Sequence, residues 1–229
     1  MKNGILLQNG AETRHTIQNE PTLIHDTALT LFEQAKGSHA WDHTLRVCEL
    51  CRQIGPQEGA DMAVLISAAY LHDIGRAYED ATNGSVCHAK KGAALAIPIV
   101  AGLPFDDGQK KNIIHSIRSH RFRDDRAPES IEAKVLFDAD KLDSIGAVGI
   151  ARAFLFAGEV GARLHNPDVD VHKTQAYSAD DTGYREYQLK LRHIKERILT
   201  PTGKKLAMAR HAYMVQFFEH FLEEYEAKR

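Results

Sequence analysis

From Pro21 onward the apolar residues of this chain recur at three- and four-residue intervals, and no run alternates for long enough to make a strand. A chain patterned in this way buries its apolar stripes by packing helix on helix. The expected class is therefore all-α, a single compact multi-helix bundle. Leu23, Ile24, Ala28, Leu31 and Phe32 mark a first helix, stopped at Gly37. His43, Val47, Leu50, Cys51 and Ile54 mark a second, stopped at Gly55-Pro56. Met62, Leu65, Ile66, Ala69 and Tyr70 mark a third that ends on His72-Asp73. The spacing predicts a fourth over about 86–101, with Pro98 perturbing its last turn, and a fifth over about 107–120. A sixth opens at Pro128-Glu129 and carries Val135, Leu136 and Asp140; a seventh covers 145–157. Residues 158–182 lack periodicity and read as a long loop over one end of the domain, a candidate lid. Two long helices follow, over about 184–199 and 203–227, separated by Thr200-Pro201-Thr202-Gly203. Residues 1–20 read as a flexible N-terminal arm, and 21–229 as one domain that includes the two C-terminal helices.

Composition narrows the class of partner. The net charge of −2 gives no general attraction to a nucleic-acid polymer or an anionic membrane. No apolar stretch approaches the roughly 18 residues of a membrane span, and Met1 to Glu20 is too polar for a signal peptide. Cys48 and Cys51 lie on the apolar stripe of the second helix and read as core residues. With only three cysteines and no disulfide framework, the expectation is a reducing cytoplasm.

The chemistry lies in the histidines and aspartates. His72-Asp73 closes an apolar run, where an aspartate is costly to bury without a partner. His43 shares the stripe of Val47, Leu50 and Ile54 and so faces inward; alone it would read as a hydrogen-bonded core histidine. Asp140 and Asp143 lie one turn apart among Leu136, Phe137 and Leu142, while Asp138 points elsewhere. Two imidazoles and two carboxylates from separate helices suit Mn²⁺, Fe²⁺, Co²⁺, Ni²⁺ or Zn²⁺, with Mg²⁺ as a further choice. Arg76, just past Gly75, is placed either to hold a phosphate or to pair with an acid. Lys141 has the same two uses, and His39 lies one turn before His43.

The order His43, His72-Asp73, Asp140 resembles the H…HD…D pattern of the HD-domain metal-dependent phosphohydrolase superfamily. Ser38-His39-Ala40-Trp41-Asp42-His43, Leu71-His72-Asp73-Ile74-Gly75, His120-Arg121-Phe122 and Asp138-Ala139-Asp140-Lys141-Leu142-Asp143-Ser144-Ile145-Gly146-Ala147 resemble a bacterial branch with nucleoside triphosphate pyrophosphohydrolases among its members. The resemblance covers about residues 22–227. It implies His43, His72, Asp73 and Asp140 as ligands of one divalent ion. It also implies a small nucleotide as substrate, Asp73 orienting or deprotonating the attacking water, and His115 or His120 donating a proton. Arg76, His88, Lys141 and His39 are the residues placed for substrate.

The chain departs from some relatives, which carry a glutamate three or four residues after the HD pair; here those positions are Arg76 and Ala77. His88, His115 and His120 follow in the order that holds a second ion in two-metal members. His88-Ala89-Lys90-Lys91-Gly92 resembles their HPxxG element without its proline. A cyclic nucleotide or dinucleotide phosphodiesterase, a di-iron oxygenase and a metal-binding regulatory module stay open as alternatives. The stripe Met214, Phe217, Phe218, Phe221 and Leu222 suits either core packing or a homodimer contact.

Overall fold

The computed structural model describes residues 26, 28–30, 41–82, 84–121 and 127–228, and among them the chain is helical with no strand. The helices are α1 (Trp41–Glu58), α2 (Met62–Leu71), α3 (Arg76–Ala81), α4 (His88–Ala101), α5 (Asp107–Ser119), α6 (Ile131–Asp143), α7 (Gly146–Glu159), α8 (Gly183–Leu189) and α9 (Pro201–Tyr225). Short 3-10 turns cover Val171–Lys173 and Leu191–Arg197. The N-terminal arm and most of the expected first helix lie outside the described residues, as does His39.

Four helices make the centre. α1, α2, α5 and α6 pack on one another; α4 lies against α5 and carries α3, and α9 closes the other side over α6 and α7. α2 is apolar on all faces, which is why it takes the middle. Its Leu65, Ala68, Ala69 and Leu71 meet Val47, Cys51 and Ile54 of α1, Ile113 and Ile117 of α5, and Val135, Leu136 and Leu142 of α6, all fully buried. Cys48 and Cys51 belong to this core as free thiols, and burial pushes Cys48 up to about 12.

Several helix ends differ from the sequence expectation. α1 passes through Gly55-Pro56 and stops at Gly59, whose φ is +72°. A proline in the last turn forfeits one backbone bond, whereas a left-handed glycine ends the helix; Ala60 N–H then donates to the Gly55 carbonyl at 3.0 Å. α2 ends at Leu71, so His72 and Asp73 lie in the turn that follows rather than in the helix. α6 begins at Ile131, capped by the Ser130 side chain on Ala133 N–H. The run over 184–199 is not one helix: at Lys190 (φ −136°, ψ −57°) α8 gives way to the 3-10 turn.

The junction into α9 is held by Asp138. Its carboxylate, fully buried, accepts from Leu199 N–H at 2.8 Å, Thr200 N–H at 2.7 Å and Thr200 Oγ1 at 2.6 Å. The irregular stretch over 158–182 is anchored on α8 and the aromatic end of α9. Asn166 donates to Asp180, Arg185 bonds Asp181 and Thr174, and the His165 ring packs edge-on to Tyr184, Phe221 and Tyr225.

Candidate metal centre

Four histidines and one aspartate converge at the end of α2. His43 comes from the first turn of α1, His72 and Asp73 from the turn after α2, His88 from the first residue of α4, and His120 from the C-terminus of α5. All five are 3% exposed or less. Gly75 allows this convergence. A Cβ on it would lie 2.3 Å from the His88 carbonyl oxygen and 2.5 Å from the Gly92 nitrogen. Only glycine lets the His72–Gly75 turn rest directly on the start of α4, and that contact sets His88 beside Asp73.

Each ring is fixed through Nδ1. His72 Nδ1 donates to the Ala69 carbonyl at 2.7 Å, and His120 Nδ1 to the Ile117 carbonyl at 2.6 Å. His43 Nδ1 donates to Asp143 Oδ2 at 2.7 Å, and His88 Nδ1 to Glu79 Oε2. This network assigns the proton of each neutral ring to Nδ1 and leaves every Nε2 with a lone pair turned inward.

The inward atoms form two groups that share Asp73. Asp73 Oδ2 lies 3.8 Å from His43 Nε2 and 4.0 Å from His72 Nε2. Asp73 Oδ1 lies 3.3 Å from His88 Nε2 and 3.7 Å from His120 Nε2. The ligand atoms of His43, His72 and Asp73 all fall within 4.8 Å of one another, and so do those of Asp73, His88 and His120. Asp140 Oδ1 joins the first group, 3.4 Å from His43 Nε2.

The residues present fit a divalent ion. His72 and His43 face each other Nε2 to Nε2 at 3.4 Å, and His88 and His120 at 3.1 Å. Two lone pairs at that distance repel unless a cation or a proton lies between them. Burial depresses His72 to about 4 and His88 to about 3, so both rings are neutral near pH 7 and available as ligands. Burial also pulls His43 down, but hydrogen bonds to Asp140 and Asp143 outweigh it and raise it overall. Burial would raise Asp73 and Asp140; Arg76 and Lys141 beside them hold both well below the usual carboxylate range.

Around these ligands lies a ring of charge that the sequence reading did not assign. Asp143 is buried and accepts from Arg46 Nε at 2.7 Å and Arg152 Nη1 at 2.7 Å as well as from His43. Glu79 is buried and pairs with Arg76 Nη1 at 3.0 Å, with Arg121 and with His88. Burial opposes its ionisation, but His88 and Arg121 bring Glu79 down to about 2. A carboxylate on the far nitrogen of a metal-binding histidine orients the ring and raises its basicity.

The other expected site residues separate clearly. Lys141 Nζ contacts Asp140 Oδ2 at 2.6 Å, and these two side chains are 14% and 18% exposed, more than the five inward-facing residues. Arg76 pairs with Asp73 and Glu79. His88 joins the second ligand group rather than standing apart from it. His115 is not brought in: its Nε2 accepts the Glu129 backbone N–H at 3.0 Å. Sequence spacing offered one signal for Glu79, which follows Arg76 by one helical turn, and one for Asp143, which follows Asp140 by one turn.

Comparison with known proteins follows the same residues. The HD domain family matches residues 40–145, a span that contains all the inward-facing candidate ligands. Bacillus subtilis YpgQ is 36% identical over 195 residues, which is 82% of this chain and 84% of that protein. The crystal structure of YpgQ in complex with ADP superposes with a TM-score of 0.69 at 30% identity, covering 89% of this chain and 96% of that one. An HD-superfamily hydrolase from Bacillus thuringiensis gives a TM-score of 0.69 at 26% identity, over 92% of this chain and 98% of that one. Ribonuclease Y of Chloroflexus aurantiacus is 28% identical over 72% of this chain, which corresponds to 27% of that enzyme. By its ligand pattern, its helical frame and its likeness to YpgQ along most of both chains, this chain belongs to the HD-domain superfamily.

Proposed function

We propose that the chain is a metal-dependent phosphohydrolase acting on a small nucleotide, with a nucleoside triphosphate cleaved to nucleoside monophosphate and pyrophosphate as its favoured reaction. The observation that carries this reading is the Asp73 carboxylate set between two pairs of facing histidines, with Asp140 beside His43 and Lys141 on Asp140. A bound divalent ion supplies a water of lowered pKa and a Lewis acid for a phosphoryl oxygen. His43, His72, Asp73 and Asp140 are the residues to hold it. Asp73 stays ionised and orients the attacking water, or takes its proton. The phosphorus–oxygen bond to pyrophosphate breaks as the water oxygen bonds to the α-phosphorus. Lys141, partly exposed, offsets charge on the phosphoryl oxygens. The deep histidines are 3% exposed or less, and Asp140, at 18%, is the most accessible of the four residues named to hold the ion.

Support for a nucleotide comes from YpgQ, alike over most of its length and crystallised with ADP. The net charge of −2 favours a small substrate over a polymer. Buried free Cys48 and Cys51 fit a reducing cytoplasm.

The test is a panel of nucleoside mono-, di- and triphosphates, cyclic nucleotides and a short RNA, each with Mn²⁺, Co²⁺, Ni²⁺ or Mg²⁺, with phosphate and pyrophosphate resolved. The expected result is pyrophosphate release from a triphosphate, abolished by a chelator and by Asp73→Asn. Turnover that survives chelation, or cleavage of RNA alone, would overturn the proposal.

A further inference from the structure

The two ligand groups are not equivalent, and the difference is Arg76. Its Nη2 lies 3.3 Å from Asp73 Oδ1, 3.3 Å from Asp73 Oδ2 and 3.3 Å from His88 Nε2. Nη1 bonds Glu79 Oε2 at 3.0 Å, which fixes the guanidinium from behind. The side chain is 15% exposed, much like that of Lys141. Glu79 also holds His88 Nδ1, so the single lone pair left on His88 is the one at Nε2, where Arg76 Nη2 at 3.3 Å is the donor within reach. Any cation bound by Asp73, His88 and His120 needs that lone pair and the one on Asp73 Oδ1.

We propose that Arg76 is a built-in cation that stands in for the second ion, so that this chain holds one divalent ion tightly and admits a second only by displacing the guanidinium. The inference rests on the reading of these side chains as a metal centre and adds an order of loading to it. The first group shares only Asp73 Oδ2 with Arg76, from Nε at 3.4 Å and Nη2 at 3.3 Å, and keeps His43, His72 and Asp140. The second group gives up two of its three ligand atoms to the guanidinium. Arginine suits the place because it is charged at every working pH and its planar fork reaches a carboxylate and an imidazole together. Charge also accounts for the choice. Asp73 and Glu79 are two buried anions, and with Arg76 and Arg121 beside them neither depends on a second ion for neutrality.

The experiment is a Mn²⁺ titration of the full chain, stripped with chelator, read by calorimetry and by electron paramagnetic resonance of paired Mn²⁺. The wild type is expected to bind one ion tightly and a second at least about tenfold more weakly. Arg76→Met is expected to tighten the second ion by about tenfold or more, to change the first by less than the second because the two share only Asp73, and to give the spectrum of coupled ions. His88→Ala in the same background is expected to return the chain to one ion. Arg76→Lys keeps a charge for Asp73 and Glu79 without the fork that reaches His88. It covers the case in which Arg76→Met does not fold, and should show a smaller tightening. Two equally tight ions in the wild type, or no tightening in either variant, would overturn the proposal. Absence of any Mn²⁺ binding in all the proteins would instead sink the metal reading itself, and the order of loading with it.

Discussion

His43 is oriented by Asp143, one hundred residues away along the chain. The buried carboxylate of Asp143 receives His43 Nδ1, Arg46 and Arg152. With its proton pinned on Nδ1, His43 turns a lone pair toward Asp73 and Asp140. Asp143→Asn removes that anion, lets the ring flip its tautomer and leaves two guanidinium groups without their shared partner. The expected outcome is a loss of about 10- to 100-fold in metal affinity, read by Mn²⁺ titration, with the helical content by circular dichroism unchanged. Retained wild-type affinity would mean that His43 is oriented by packing alone. At this scale the sequence is legible where a residue type and its neighbours suffice. His43 and Asp140 lie among apolar helix residues and His72-Asp73 closes an apolar run, where ionisable groups need a reason. Glu79 and Asp143 are not legible in this way, because their partners, His88 and His43, are joined to them only by the fold. Glu79 lies in the polar run Arg76-Ala77-Tyr78-Glu79-Asp80, which by itself reads as a solvated face.

Elements were easier to place than their ends. Periodicity located the central helices because each buries one continuous stripe, and α2, apolar all round, identifies itself as the middle element. The ends depend on contacts that periodicity does not contain. Gly59 outweighs Pro56 as the stop of α1, and Lys190 breaks a run that looks continuous. The end of α2 matters most, since the turn from His72 to Gly75 rests on α4 through the pair Gly75 and Gly92. Gly75→Ala places a methyl 2.3 Å from a backbone oxygen and 2.5 Å from a backbone nitrogen. Neither neighbour can swing aside as a side chain would, so α4 must move and carry His88 with it. The expected loss is about 3 kcal/mol or more in urea unfolding, together with weakened metal binding. Gly158→Ala is the contrasting case: it lies near the exposed end of α7, nothing stands within 4 Å of its added Cβ, and its φ is not positive. That substitution is expected to raise stability by about 0.5–1 kcal/mol, because alanine loses less backbone freedom in a helix. If both alanines behaved alike, the close approach at Gly75 would not be what holds the turn on α4.

For the whole molecule, burying four histidines around one aspartate ties stability to pH and to metal together. Burial pushes His72 down to about 4 and His88 to about 3, both below the ordinary value of 6.5. Between those values and 6.5 the unfolded chain binds protons that the folded chain refuses. Stability therefore falls as pH drops from about 6.5 toward 4, by up to roughly 3 kcal/mol for His72. Glu79, depressed to about 2 from 4.5, adds a further loss as pH falls through that lower window. His43 acts in the opposite sense. Its raised value gives stability that is present below 6.5 and lost as pH rises through the folded value. Two depressed rings against one raised ring leave a net acid destabilisation. An added ion needs all its imidazoles neutral, so protons on His43 compete with it most directly, and the competition grows as pH falls. Melting temperatures measured with EDTA and with excess Mn²⁺ across pH 5 to 8 should therefore diverge. The gain on adding Mn²⁺ is expected to be large at pH 7.5, where each tenfold excess of free ion over its dissociation constant adds about 1.4 kcal/mol. It should shrink steadily toward pH 5.5. A gain that is the same at both ends would show that the ion binds elsewhere than among these histidines.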